Sequence, residues 1–184
     1  MSSIATKASI TLEELAQMPD SKNFELVDGE LVERHSSIRS SKVSGNVLRL
    51  LGNEANRTKE AGVFPNDLGY QCYPQEPGRI RKPDVSVVRS ERLVDTDPDR
   101  GYMPFPADLV IEVISPNDLS YQVTEKGREY LQAGFPLIWV IHPNVRTVTI
   151  YARGQRPTVL EETDEITAEP ALAGFRCKVA AFFE

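Results

Sequence analysis

Hydrophobic and polar positions change period along the chain, and each change marks an element. Residues 11–18 open as a short helix: Thr11 is placed to cap it, Glu14 completes a capping box, and Pro19 ends it. Phe24-Glu25-Leu26-Val27 and Glu30-Leu31-Val32-Glu33 flank Asp28-Gly29, a pair suited to the positive-φ positions of a type I′ turn, so 24–34 is predicted as a hairpin. Over residues 40–57, Val43, Val47, Leu50, Leu51 and Glu54 recur on one helical face. Strands are predicted over 63–73, 80–89 and 109–115, and a second long helix over 120–133, stopped by Gly134 and Pro136. Residues 137–141 and 147–152 pair around the Pro143-Asn144 turn, and the chain beyond Arg153 is expected to add short strands.

Strands on both sides of one central helix, with another helix early in the chain, predict an α/β fold: a mixed sheet covered by helices on both faces. With 184 residues the chain is expected to form a single domain over 1–184, large enough to bury a core without disulfides. Residues 90–107 are acidic and Pro-rich and are expected to form a surface connection.

Composition narrows the function more than it directs it. A net charge of −6 argues against coating nucleic acid or membrane by bulk charge, while leaving room for a local basic patch. Two cysteines, Cys72 and Cys177, and two histidines, His35 and His142, are too few for a disulfide framework or a structural zinc site. The first residues lack the apolar stretch of an export signal and the longest apolar runs are strand-length, so a cytoplasmic setting with no membrane partner is expected. The phosphate-binding, dinucleotide, nucleophile-elbow and zinc-protease motifs are all missing.

Charge appears where strands should be apolar. In Leu109-Val110-Ile111-Glu112-Val113-Ile114, apolar residues on both sides of Glu112 mark a strand covered on both faces, with Glu112 sharing a face with Val110 and Ile114. An unpaired buried carboxylate costs several kcal/mol, so Glu112 needs a cation or a proton; a Lys or Arg from the neighbouring helix would suffice. Asp84 enters the preceding strand the same way, behind Arg81-Lys82-Pro83. Two acids at the ends of adjacent strands suit a hard divalent cation. Lys126 interrupts the core-facing stripe of Val123, Gly127, Tyr130 and Leu131, with Glu125, Arg128, Glu129 and Gln132 expected on the solvent side. It either snorkels outward or aims its ammonium at Glu112.

Asp84, Glu112 and Lys126, in this order, resemble the PD-(D/E)XK nuclease superfamily and within it the Uma family of restriction endonuclease-like domains. The resemblance rests on Phe24-Glu25-Leu26-Val27-Asp28-Gly29-Glu30-Leu31-Val32, Lys82-Pro83-Asp84-Val85, Asp108-Leu109-Val110-Ile111-Glu112-Val113-Ile114-Ser115-Pro116, Lys126-Gly127-Arg128-Glu129-Tyr130, and Gly134-Phe135-Pro136-Leu137-Ile138-Trp139-Val140-Ile141. It implies a three-layer restriction-endonuclease-like fold and Mg²⁺-dependent hydrolysis of DNA phosphodiesters, with Mn²⁺ as a substitute ion. Asp84, Glu112 and the Val113 carbonyl would hold the metal. Lys126 would orient the attacking water or stabilise charge developing on the phosphate. An additional acid is implied, Glu25 or Glu54, with Glu25 favoured. A homodimer would suit a double-strand cut.

Two positions depart from the pattern. The Lys of the superfamily's Glu-x-Lys would fall at Ile114, and relatives often carry a His where this chain has Ser40. These departures support the alternative reading, a catalytically inactive binding or assembly module that keeps the nuclease fold. Arg79, Arg81 and Lys82 before Asp84, and Arg39, Lys42 and Arg49 on the early helix, are the candidate phosphate-neutralising patch.

Overall fold

Described in a computed structural model over residues 10–116, 118 and 120–184, the chain begins with helix α1 (Leu12–Gln17), capped by Thr11 in the expected capping box with Glu14. Strands β1 (Phe24–Val27) and β2 (Glu30–Glu33) follow as an antiparallel hairpin. Asp28 and Gly29 have φ of 53° and 75°, the left-handed pair that a type I′ turn demands and that matches the twist of its arms. Helix α2 (Ile38–Thr58) buries Val43, Val47, Leu51 and Ala55 on one face.

The next segments depart from the single long strands predicted. Residues 63–73 divide at Pro65 into β3 (Ala61–Pro65) and β4 (Gly69–Tyr70), which lie in different sheets. In the 80–89 segment, Ile80 and Arg81 make isolated bridges to Leu26 and Tyr70, and regular pairing begins only at β5 (Val85–Arg89). Pro83 has no N–H to give a ladder, which is consistent with that break. The 90–107 connection is not merely a surface loop: it holds α3 (Ser90–Leu93) and β6 (Tyr102–Met103), which pairs with β4. Apolar Met103 and Ala107 in it are drawn under the sheet and buried.

Strand β7 (Leu109–Val113), helix α4 (Ser120–Gln132), and strands β8 (Leu137–His142) and β9 (Thr147–Ala152) form the centre of the molecule. Short strands β10 (Thr158–Leu160), β11 (Glu165–Thr167) and β12 (Arg176–Lys178) and a 3₁₀ turn at Val179–Phe182 complete the chain, as expected for its tail. The main sheet has six strands in the order β10-β9-β8-β7-β5-β3. β7 and β8, joined through α4, are parallel, and every other neighbouring pair is antiparallel.

Period-two alternation divides this sheet's side chains between two cores. Val85, Val87, Leu109, Ile111, Val113, Trp139 and Ile141 pack against α2 and the C-terminal turn. Val88, Val110, Ile138 and Val140 pack on the other face with Tyr70, Phe135 and Tyr130 of α4. This is the three-layer α/β arrangement. Among the described residues no helix is long and apolar enough to cross a membrane.

Leu51 is fully buried between α2 and the sheet. Leu51→Ala is expected to cost about 2–5 kcal/mol of unfolding free energy in urea melts, whereas Arg49→Ala, exposed on the same helix, should change it by less than about 0.5 kcal/mol.

Candidate active site

Glu112 stands on the α4 side of β7, in register with Val140 of β8. On its other flank, Val85 pairs with Ile111 in antiparallel register, so Asp84, one residue before β5, falls opposite Glu112 on the same face. The Asp84 carboxylate continues the ladder where the strand ends: Oδ2 accepts the Val113 N–H at 2.8 Å. In an extended strand a residue's C=O points to the same side as its N–H, so the Val113 carbonyl also faces the Asp84 side. Asp84 Oδ1 accepts from Arg34 Nη2 at 3.0 Å.

Helix α4 brings in the ammonium. Lys126 Nζ lies 3.0 Å from Glu112 Oε1 and 3.1 Å from Glu25 Oε1, and does not snorkel into solvent. One turn on, the Tyr130 hydroxyl donates to Glu112 Oε1 at 2.7 Å. Glu25, in β1, is 2% exposed; it accepts the Lys82 backbone N–H at 2.8 Å and Arg81 Nη1 at 2.9 Å. Glu25, Asp84, Glu112 and Lys126 therefore share one cavity of about 420 Å³. Glu54 does not join them: it is held by Arg57 on α2 and borders Gly174.

These surroundings separate the carboxylates electrically. Burial alone would push Glu25 up, but Lys126, Arg81 and the Lys82 N–H together hold it at about 2. For Glu112 the balance reverses: burial, reinforced by the charges of Asp84 and Glu25, outweighs Lys126 and pushes it up to about 7. The Lys126 partner alone would lower it, and desolvation overrides that effect. Asp84 is also raised by burial, against the Val113 N–H and Arg34. Lys126 is disfavoured as an ion by burial, yet the two facing glutamates raise it above its usual value, so it is a cation at neutral pH.

The expected basic patch is largely consumed inside the protein. Arg81 grips Glu129 through two bonds of 2.8 and 2.5 Å, and Arg79 reaches Glu129 at 2.9 Å and also pairs with Asp28 and Glu76. Glu129 is accordingly turned inward and is not on the solvent side of α4. Lys82 is 3% exposed and donates to the Ser21 carbonyl. Arg39, Lys42 and Arg49 remain exposed on α2. Ser40, at the position where a His was considered, is buried; its hydroxyl lies 3.0 Å from that of Ser115 and ties the start of α2 to the end of β7. Ile114 borders the cavity without supplying charge.

Arg34 and Tyr130 were not singled out as site residues. Tyr130 was legible only as a member of the apolar stripe, and Arg34 lies in a polar stretch after the hairpin that has no periodicity to read.

The three-layer α/β fold has a counterpart among solved structures. A crystal structure described as a "putative nuclease belonging to DUF820" from Anabaena variabilis ATCC 29413 superposes with a TM-score of 0.79, covering 95% of this chain and 97% of that one at 19% identity. The family model Uma2, "Putative restriction endonuclease", matches residues 12–180, and the chain belongs to that family. None of the curated proteins matches it.

Because its folded-state value lies above that of the unfolded chain, Glu112 contributes stability that is full below about pH 4.5 and is lost as the pH rises through about 7. In metal-free buffer Glu112→Gln should remove this slope, gaining on the order of 3 kcal/mol over wild type between pH 4.5 and pH 8 in urea melts.

Proposed function

We propose that the protein is a metal-dependent endonuclease that hydrolyses DNA phosphodiesters at the Asp84–Glu112 pair. Family membership supports a nuclease function. The observation that carries the finer reading is the convergence of two opposed carboxylates and one ammonium on a single cavity.

The donor set suits Mg²⁺, with Mn²⁺ as a substitute. Asp84, Glu112 and the Val113 carbonyl are all oxygen donors, the preference of a hard cation. Burial, reinforced by the charges of Asp84 and Glu25, raises Glu112 despite Lys126, and a divalent ion would supply the countercharge that offsets it. Among the described residues no three His, Cys, Asp or Glu side chains group as ligands, so the ion would keep water and take phosphate oxygens to fill its shell. When bound, the metal would polarise the scissile phosphate and lower the pKa of an attacking water.

The chain's own groups supply the rest. Lys126 is protonated and cannot act as a base; it donates to the water or to a phosphate oxygen and stabilises negative charge developing there. Glu25, with Glu112, fixes the ammonium over the acids. Tyr130 fixes the Glu112 rotamer. Lys126 thus brings to Glu112 the ammonium that Ile114 lacks. That supports catalysis over the alternative of an inactive binding module, which Ile114 and Ser40 would otherwise favour.

Purified protein incubated with supercoiled plasmid and linear duplex is expected to cleave with Mg²⁺ or Mn²⁺ and not with EDTA. Asp84→Ala and Glu112→Ala should lower the rate by orders of magnitude and weaken Mn²⁺ binding in calorimetry. Lys126→Ala should slow cleavage while Mn²⁺ still binds. Mn²⁺ affinity in both acid variants equal to wild type would place the ion elsewhere. Metal binding by the wild type without turnover on any duplex, single strand or RNA would favour the inactive module.

A further inference from the structure

Most cations around the cavity are committed to internal acids: Lys126 to Glu25 and Glu112, Arg81 to Glu25 and Glu129, Arg79 to Asp28, Glu76 and Glu129. Arg34 differs. It follows β2, and among the described residues its side chain holds one acid, Asp84, and donates otherwise to a neutral carbonyl, Asn66 O at 2.9 Å. Its side chain is 16% exposed and borders the 420 Å³ cavity. Asp84 and Asn66, its two partners, also border a second cavity of about 210 Å³ lined by Ser40, Ser41 and Ser44 of α2. The two cavities share His35, Asp84 and Val113, and Arg34, on the side of the first, is bonded to two residues that line the second.

Resting on the nuclease reading, we infer that Arg34 is a further substrate-binding residue, a guanidinium that covers Asp84 and transfers to a phosphate of the substrate strand when a divalent cation arrives. A cation on Asp84 and a guanidinium on the same carboxylate repel each other, and this repulsion is strong in a half-buried site. The arriving ion weakens the Arg34–Asp84 pair. The freed guanidinium keeps its planar fork of N–H donors, which matches the oxygens of a phosphodiester two at a time. In reverse, a phosphate that draws Arg34 away uncovers Asp84 Oδ1. Metal and substrate then promote each other's binding, and the coupling is reciprocal. No bond is made or broken by Arg34. It tends the site so that the ion is held more firmly when a phosphate is present.

The experiment compares wild type, Arg34→Gln and Arg34→Lys, with thermal melts to confirm folding. Calorimetric titration with Mn²⁺ alone should show several-fold tighter binding in Arg34→Gln, because the competing charge is gone, and near wild-type binding in Arg34→Lys. Binding of a short labelled duplex with Ca²⁺ should weaken about tenfold in Arg34→Gln, and its slope of log K against log salt should fall by about 1. Arg34→Lys should weaken duplex binding to a lesser extent, having the charge without the fork, and it carries the test if the Gln variant does not fold. Adding duplex should tighten Mn²⁺ binding in wild type and have no such effect in Arg34→Gln. Mn²⁺ affinity unchanged or weaker in Arg34→Gln, or duplex affinity equal to wild type in both variants, overturns the inference and leaves the nuclease reading intact. A wild type that binds neither Mn²⁺ nor duplex defeats the nuclease reading, and the role of Arg34 falls with it.

Discussion

A carboxylate carried onto the covered face of a central strand is costly unless a cation follows it there, and the arrangement around Glu112 answers that constraint. Lys126 comes from α4, the helix that joins β7 to β8, so the connection that makes those strands parallel also delivers the neutralising charge. The same ammonium satisfies Glu25 from the hairpin, and Arg81 links Glu25 to Glu129 back on α4. Hairpin, strand and helix are thereby held together through alternating charges, in a region where apolar packing alone would leave each acid unpaired. Removing one member strands its partner in a low-dielectric setting, which is why such networks act as a unit.

That network is unevenly balanced, and the imbalance points to function. Lys126, Arg81 and the Lys82 N–H hold Glu25 at about 2 against its burial, while burial outweighs Lys126 at Glu112 and pushes it up to about 7. Asp84, opposite Glu112, is likewise raised by burial. Each acid has one cation beside it, Arg34 for Asp84 and Lys126 for Glu112, and burial still raises both where they border the cavity. A divalent ion bound there would offset that burial, which supports the proposed cation site. The family to which the chain belongs gives this local electrostatic feature a chemical context.

Much of the frame was legible because it depends on short-range rules. The type I′ turn at Asp28-Gly29, the capping box at Thr11 and Glu14, and the apolar run through β7 each state their geometry locally. Asp84, Glu112 and Lys126 stood out because each breaks a hydrophobic pattern. What escaped depends on pairing between distant segments. Arg79, Arg81 and Lys82 read as a basic patch, since nothing near them shows that Glu25, Glu129 and the Ser21 carbonyl will consume their charge. Glu129 lay on the polar side of the helix by period, yet two arginines from before β5 draw it inward. Arg34 breaks no pattern at all, and its place beside Asp84 follows only from the path of the hairpin.

The account's central claim is that Asp84 and Glu112 form one cation site on the α4 face of the sheet. Anomalous diffraction from a crystal soaked in Mn²⁺ tests it most directly, because it locates the ion without reference to a substrate. The account predicts a peak at the Asp84 and Glu112 carboxylates on the Val113 carbonyl side, absent from an Asp84→Ala, Glu112→Ala double variant. A peak at other residues, or no peak at these carboxylates at saturating Mn²⁺, would contradict it.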